Sequence, residues 1–395
     1  MAAVTSRVSA ALTGAVSNAT AGIRPLSTRQ LAFRAAPSVA SPSQRLSSVV
    51  RRSDQQQQQR QRQLQCRASS TETEAQAAVS DDLFGDYKAT VAALFPGQGA
   101  QSVGMGAEAA AVPAAAALFS KASEILGYDL LDVCVNGPKE RLDLTAVSQP
   151  AIYVASLAAV EALRAQEGGA AKLASIDVAA GLSLGEYTAL AFADAFSFED
   201  GLRLVQLRGE AMQAAADAAP SAMVSVIGLG AEKVQELCDA ANEDVEESQR
   251  VQIANFLCNG NYAVSGGVEG CKAVEAKAKS FKARMTVRLA VAGAFHTRFM
   301  APAVPRLEEA LAATTFRSPR IPIVSNVDMR PHSDPAVIKR ILAQQITSPV
   351  QWEGSLKQLL ARGLTESYEL GPGKVIAGNM KRVDKAAPAV VNVSV

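Results

Sequence analysis

Histidine is scarce in this chain, and its cysteines are not arranged in pairs. The 395 residues include two histidines, His296 and His332, and five cysteines, none of which forms a C-x-x-C motif. Scattered cysteines argue against a disulfide framework and against a zinc site. We therefore expect reduced thiols in a reducing compartment. Any chemistry that needs a histidine base has only two candidates.

Acidic residues are almost absent from residues 1–67, which contain ten arginines, no lysine and a single acid, Asp54. This arginine-rich, serine-rich composition is typical of an organelle transit peptide. Residues 8–22 are interrupted too often by Ser, Thr and Asn for a secretory signal. Residues 66–69 resemble a chloroplast processing site, and a mitochondrial site stays open. We expect residues 1–67 to be a transit peptide that directs the protein to the chloroplast stroma.

The remaining chain lacks both a general positive charge and a long apolar run. Without residues 1–67 the net charge falls from +1 to −8, which disfavours nucleic-acid binding. We find no uncharged run of 18 strongly apolar residues and expect a soluble protein that does not enter a membrane. Residues 68–395 are enough for one large core and a smaller inserted domain.

The motif G-L-S-L-G at 181–185 follows the apolar run 176–180 and precedes a segment with helical composition. A G-x-S-x-G between a strand and a helix is typical of a nucleophile elbow. There the glycines allow a sharp turn, the serine hydroxyl leaves the sheet, and backbone N–H groups face any anion that forms. Ser183 is therefore the candidate nucleophile.

The order of predicted elements indicates an α/β fold, with an α/β-hydrolase-like large domain that has a parallel sheet and an inserted ferredoxin-like small domain. We expect a flexible lead-in at 68–88, the first part of the large domain at 89–216, the small domain at 217–290 and the second part of the large domain at 291–395. The large domain should contain strands at 89–95, 176–180, 321–326 and 366–370 and helices at 107–126, 149–165, 198–215, 302–313 and 335–345. Pro150 and Pro302 would lie in the first turns of their helices.

The small domain is expected to have the order strand, helix, strand, strand, helix, strand. Its predicted strands are 223–229, 251–256, 261–265 and 284–291, and its predicted helices are 231–241 and 268–281.

A serine nucleophile needs a base, and His296 is the better candidate of the two histidines. His332 lies in the turn-rich sequence R-P-H-S-D-P, where an exposed side chain is the simpler interpretation. His296 follows a predicted strand among small residues and precedes a helix. A buried structural histidine is the alternative there.

Five segments form an ordered set: F-P-G-Q-G-A-Q at 95–101, G-L-S-L-G-E at 181–186, Arg208-Gly209 with Met212, A-F-H at 294–296, and Gln345 before P-V-Q-W at 349–352. Together they resemble the malonyl-CoA:acyl carrier protein transacylases, in the form found in plastids. The resemblance extends in order from about residue 89 to residue 382. One difference is Leu182, where bacterial members often have histidine.

The resemblance implies that Ser183 carries the malonyl group as an ester and that His296 activates it. Arg208, 25 positions after the serine, would bind the malonyl carboxylate, which suits the two parallel hydrogen bonds of a planar guanidinium. A helix-surface cation is the alternative for Arg208. The backbone N–H groups of Gln98 and Leu184 would form the oxyanion hole.

In the same family the second nitrogen of the histidine is held by a backbone carbonyl, here that of Gln345. Phe295 resembles the malonyl-selective version of its site, with ordinary core packing as the alternative. The implied partners are malonyl-CoA, as a substrate, and acyl carrier protein, with no metal or other cofactor and with the protein acting as a monomer.

Two other functions stay open at this point. The first is a serine esterase of the α/β-hydrolase type, although the chain lacks the H-G-G-G oxyanion loop that such enzymes often have. The second is a non-catalytic adaptor of carrier proteins, which would form no acyl-enzyme.

Overall fold

A computed structural model of the chain describes residue 81, residues 83–108 and residues 111–395. The predicted transit peptide and residues 68–80 of the predicted lead-in lie outside these ranges. The described strands are β1 (Val91–Phe95), β2 (Val178–Gly181), β3 (Ser221–Ile227), β4 (Val251–Cys258), β5 (Asn261–Gly267), β6 (Met285–Arg288), β7 (Ile323–Val324), β8 (Glu366–Leu370) and β9 (Val390–Val393).

The described α-helices are α1 (Pro113–Leu126), α2 (Leu130–Asn136), α3 (Lys139–Leu142), α4 (Thr145–Ala165), α5 (Gly169–Ala174), α6 (Leu184–Phe192), α7 (Phe198–Ala218), α8 (Ala231–Asn242), α9 (Val268–Lys277), α10 (Val304–Ala313), α11 (Pro335–Gln345), α12 (Trp352–Ala361) and α13 (Val375–Val383). Short 3₁₀ helices occupy Glu247–Gln249 and Arg298–Ala303.

The larger sheet has the strand order β7-β2-β1-β8-β9, and every neighbouring pair in it is parallel. β1 and β2 are in register up to Phe95 opposite Gly181. The turn after β1 and the serine motif after β2 therefore lie side by side at the carboxyl edge of the sheet. This edge is where open parallel sheets place their ligands.

The smaller sheet has the order β4-β5-β3-β6 and is antiparallel throughout. With α8 and α9 it has the strand-helix-strand-strand-helix-strand order that the sequence predicts, and its strand arrangement is ferredoxin-like. It has an apolar core of its own, which includes Val224, Val234, Leu237 and Val264. The α/β fold class with a parallel sheet and a small antiparallel subdomain is thus confirmed.

Helix α4 is the one helix among the described residues that is long and apolar enough to span a membrane. Of its most apolar stretch, 78% is buried inside the protein, against α1 and α7 among others. The sequence criterion of an uncharged 18-residue run did not detect it because Glu161 and Arg164 lie near its end. Its apolar character is that of a helix in the middle of a core.

Three predicted helix starts are wrong. The helix predicted at 107–126 begins at Pro113, and residues 107 and 108 form a turn. The helix predicted from 149 begins at Thr145, where Gln213 accepts a hydrogen bond from the backbone N–H at 3.3 Å, so Pro150 lies inside the helix. Pro302 belongs to a 3₁₀ helix, and Pro305 is the proline in the first turn of α10.

The described end of the predicted flexible lead-in is fixed to the large domain. The side chain of Tyr87 is buried, the Arg362 guanidinium carbon lies 4.0 Å from the centre of its ring, and Arg362 donates to its backbone carbonyl at 2.9 Å. The prediction of a flexible segment is therefore wrong for this part.

Strand β9 was not predicted from the sequence. It lies beside β8 at the edge of the larger sheet.

Candidate active site

Ser183 lies in a strained turn between β2 and α6. Its backbone has φ 52° and ψ −102°, a conformation that costs about 1–3 kcal/mol in a residue other than glycine. A Cβ atom at Gly181 would lie 1.9 Å from the Gly185 backbone, and one at Gly185 would lie 2.2 Å from the Phe95 carbonyl oxygen. Only glycine fits at both positions, so the turn that raises Ser183 from the sheet depends on them.

His296 is paired with Ser183 and with a backbone carbonyl. Its Nε2 lies 2.8 Å from Ser183 Oγ, and its Nδ1 lies 2.9 Å from the carbonyl oxygen of Gln345. Because a carbonyl only accepts, Nδ1 carries the proton and Nε2 is free to accept from the serine. Burial, together with the nearby Arg208 charge, lowers the pKa of His296 to about 4. The ring is therefore neutral at neutral pH, as a general base must be.

His332 is paired with two aspartates, Asp81 and Asp328. Its Nδ1 lies 2.5 Å from a carboxylate oxygen of Asp81, and its Nε2 lies 3.0 Å from one of Asp328. Burial opposes the charge on this ring, but the two carboxylates outweigh it and raise the pKa of His332. The two carboxylates therefore favour the protonated form of His332, as an ion-pair partner, over a role as a base.

Arg208 is a buried cation beside the nucleophile. One terminal nitrogen donates to Ser183 Oγ at 3.1 Å and to Gln345 Oε1 at 2.9 Å, and the other donates to Gln149 Oε1 at 2.7 Å. All three acceptors are neutral, and Nε donates to no acceptor among the residues described. The side chain is 1% exposed, and this burial lowers its pKa. A buried charge without a carboxylate partner is costly, so an anionic ligand would stabilise it.

Gln98 and Leu184 follow the carboxyl ends of the neighbouring strands β1 and β2. Leu182 donates its backbone N–H to the Phe95 carbonyl at 3.0 Å, which fixes the elbow against the turn that holds Gln98. Within the described part of the chain, the backbone N–H groups of Gln98 and Leu184 have no acceptor. Leu184 also begins helix α6, whose N-terminus favours negative charge. Both donors are thus available to an oxyanion.

Comparison with known proteins identifies the family. Residues 93–391 match the acyl transferase domain. The human mitochondrial malonyl-CoA–acyl carrier protein transacylase is 39% identical over 302 residues, which are 74% of this chain and 77% of the human protein. The chain belongs to the malonyl-CoA–acyl carrier protein transacylases.

Solved structures of the family have the same fold. The transacylase from Coxiella burnetii is 34% identical, with a TM-score of 0.72 over 78% of this chain and 94% of that one. A malonyl-transacylase solved with a type II polyketide acyl-carrier protein is 33% identical, with a TM-score of 0.72 over 77% of this chain and 96% of that one. At these identities the likeness extends beyond fold to family.

Phe295 is buried in the main apolar core, with 5% of its surface exposed. Phe295 directly precedes His296 in the chain. Core packing and acyl selectivity are both compatible with this position.

Three site residues were missed by the sequence analysis. Gln149 accepts from Arg208. Asn326 accepts from the backbone N–H of Ser183 at 2.6 Å and donates to the Gly181 carbonyl at 2.7 Å. Glu186 accepts from Gln345 Nε2 at 2.8 Å and from the Asn326 backbone at 3.0 Å. Polar residues in otherwise apolar helix and strand segments were the available signal for all three.

Proposed function

We propose that this protein transfers the malonyl group of malonyl-CoA to the phosphopantetheine thiol of acyl carrier protein, in fatty acid biosynthesis, through an ester on Ser183. The observation that carries the proposal is the buried Arg208 within 3.1 Å of the Ser183 oxygen. Membership of the transacylase family supports the same reaction. An acyl group that ends in a carboxylate would supply the charge that Arg208 lacks.

In the first step the Ser183 oxygen attacks the thioester carbonyl carbon while its proton passes to His296 Nε2. The carbonyl oxygen becomes an oxyanion that accepts from the N–H groups of Gln98 and Leu184. When the carbonyl reforms, the C–S bond breaks and the coenzyme A sulfur takes the proton from His296. The malonyl group then remains as an ester on Ser183.

In the second step the carrier thiol takes the place of coenzyme A. His296 removes the thiol proton, the sulfur attacks the ester carbonyl, and the same two N–H groups hold the oxyanion. The C–O bond to Ser183 breaks, and the serine oxygen recovers the proton from His296. Throughout, Arg208 holds the malonyl carboxylate and so orients the reacting carbonyl.

No step of this cycle needs a metal or a redox cofactor, since nucleophile, base and oxyanion donors all come from the chain. We also propose that Phe295 limits the space beside the acyl group. Loading of Phe295→Leu with methylmalonyl-CoA tests this, because a smaller side chain should admit the α-methyl group. Unchanged selectivity would leave Phe295 as a core residue.

The esterase alternative is not supported. The partner of His296 Nδ1 is a backbone carbonyl where α/β-hydrolases have an acidic side chain, and a buried arginine does not suit a neutral ester. The adaptor alternative predicts a site unable to react, whereas Ser183 and His296 are within hydrogen-bond distance.

We propose that residues 1–67 are a chloroplast transit peptide. Their composition supports import into an organelle, and relatives include bacterial and mitochondrial proteins. Uptake of a fusion of residues 1–67 to a reporter, measured in isolated chloroplasts and mitochondria, tests the destination. We also propose a monomer, since the site residues bond to one another within one chain; light scattering in solution tests it.

The reaction is tested by mixing the protein with malonyl-CoA and carrier protein that bears phosphopantetheine, and following malonyl-carrier by mass spectrometry. Formation of malonyl-carrier with equimolar release of coenzyme A supports the proposal. Release of free malonate without malonyl-carrier would favour a hydrolase, and no reaction at all would favour the adaptor.

A further inference from the structure

We propose that Glu186 is a positioning residue that sets the selectivity for a charged acyl group, by fixing the Gln345 side chain that holds Arg208. This rests on the proposed function of the site. Glu186 would not touch the substrate, but it would determine how firmly the guanidinium is held where the acyl carboxylate arrives.

The first step is the orientation of the Gln345 amide. Its Nε2 donates to Glu186 Oε2 at 2.8 Å and to the Ser183 carbonyl at 3.0 Å, and its Oε1 accepts from Arg208 at 2.9 Å. A carboxylate can only accept, so Glu186 requires the NH₂ group of Gln345 on its own side. The opposite orientation would place two donors, the NH₂ group and the guanidinium, against each other.

The second step is charge. Glu186 is 4% exposed and Arg208 is 1% exposed, and the Gln345 amide joins the two. Burial raises the pKa of Glu186 to about 7, while its hydrogen bonds to Gln345 and Asn326 favour the charged form. In its ionised form, which these hydrogen bonds favour, Glu186 polarises the Gln345 amide toward the guanidinium without contacting the guanidinium itself. A second carboxylate, that of the acyl group, can still bind to Arg208.

The third step separates this role from general support of the fold. Glu186 also accepts from the Asn326 backbone, and Asn326 holds the elbow. If Glu186 only stabilised the elbow, its loss would lower the rate of acyl-enzyme formation equally for every acyl group. If it acts through Gln345 and Arg208, its loss would affect the malonyl group far more than the acetyl group.

The test measures acyl-enzyme formation from malonyl-CoA and acetyl-CoA, each with its own kcat and KM, for the parent protein, Glu186→Ala and Glu186→Gln. The matched control is Glu353→Ala. Glu353 is another buried glutamate that accepts a hydrogen bond, from Tyr262 at 2.8 Å; it also pairs with Lys357 at 2.6 Å, and neither partner belongs to the site.

We expect Glu186→Ala to lower the preference for malonyl over acetyl about tenfold, mainly through the KM for malonyl-CoA, as for the loss of one hydrogen bond to a charged group. Glu186→Gln keeps an acceptor oxygen and should retain the preference within about threefold. The Glu353→Ala control should leave it unchanged.

An unchanged preference in Glu186→Ala would overturn the inference, whatever the absolute rates. If that variant does not fold, Glu186→Asp shortens the reach of the carboxylate and should lower the preference in the same direction; an unchanged preference there would also overturn it. A parent protein that forms no malonyl adduct would instead refute the proposed function itself.

Discussion

Replacing Arg208 by alanine should remove the preference of the site for a charged acyl group, malonyl, over a neutral one, acetyl. The side chain is 1% exposed, and within the described part of the chain it donates only to neutral acceptors, so an acyl carboxylate would supply a directly bonded ionic partner. Truncating one partner of a buried, hydrogen-bonded charge pair costs about 2–5 kcal/mol. Since about 1.4 kcal/mol corresponds to a factor of ten, kcat/KM for malonyl loading should fall at least about 30-fold.

The assay is the rate of acyl-enzyme formation with malonyl-CoA and acetyl-CoA, followed by intact-protein mass spectrometry. Arg203→Ala is the matched control, because Arg203 is on the same helix α7 but is largely exposed and pairs only with Asp200 at 3.5 Å. Arg208→Lys should be intermediate, since lysine keeps the charge but not the planar pair of donors.

Acetyl loading should change much less than malonyl loading in Arg208→Ala. An equal loss for both substrates would mean that Arg208 supports the site structurally and does not bind the carboxylate. Acetyl loading as fast as malonyl loading in the parent protein would refute the reasoning outright.

Two further predictions concern His296 and the elbow. With only two histidines in the chain, NMR of labelled histidine should show His296 titrating near pH 4 and His332 above its ordinary value; a His296 titration at or above 6.5 would contradict the neutral base. Because the unfolded chain binds that proton below about 6.5, His296 should lower the free energy of unfolding as the pH falls from 6.5 to 4. Asn326→Ala removes one buried and one partly buried hydrogen bond at the elbow and should cost about 2–4 kcal/mol in denaturant unfolding. The control, Asn379→Ala, is at a buried asparagine whose Nδ2 has no acceptor among the described residues, so it should cost less; equal losses would contradict the role of Asn326.

The parts of the fold that could be predicted from sequence are those with strong local patterns. They include the strand before Ser183, the turn between Gly181 and Gly185, and the order of strands and helices in the small domain. Each of these depends on residues close together in sequence. Helix α4 shows the limit: the backbone N–H of its first residue, Thr145, donates to Gln213, which is 68 positions away in sequence. The early start expected for α1 was wrong because an alanine-rich sequence has a high helix propensity, and propensity alone does not fix where a helix begins; α1 begins at Pro113.

In the candidate site, too, some residues could be predicted from the sequence and others could not. Ser183 and His296 could be selected because the elbow motif is local and histidine is rare, and the resemblance added Arg208 and Gln345. Glu186 and Asn326 could not be assigned to the site, since their contacts join residues 140 and 159 positions apart. Such contacts depend on which strand ends become neighbours in the sheet, and this is a property of the whole fold.

The central claim is that Ser183 carries the acyl group. The direct measurement is intact-protein and peptide mass spectrometry of the full chain after incubation with malonyl-CoA, with Ser183→Ala as the comparison. We predict a single malonyl adduct on the peptide that contains Ser183 and none on the variant. An adduct that persists in Ser183→Ala, or that maps to another residue, would contradict the account.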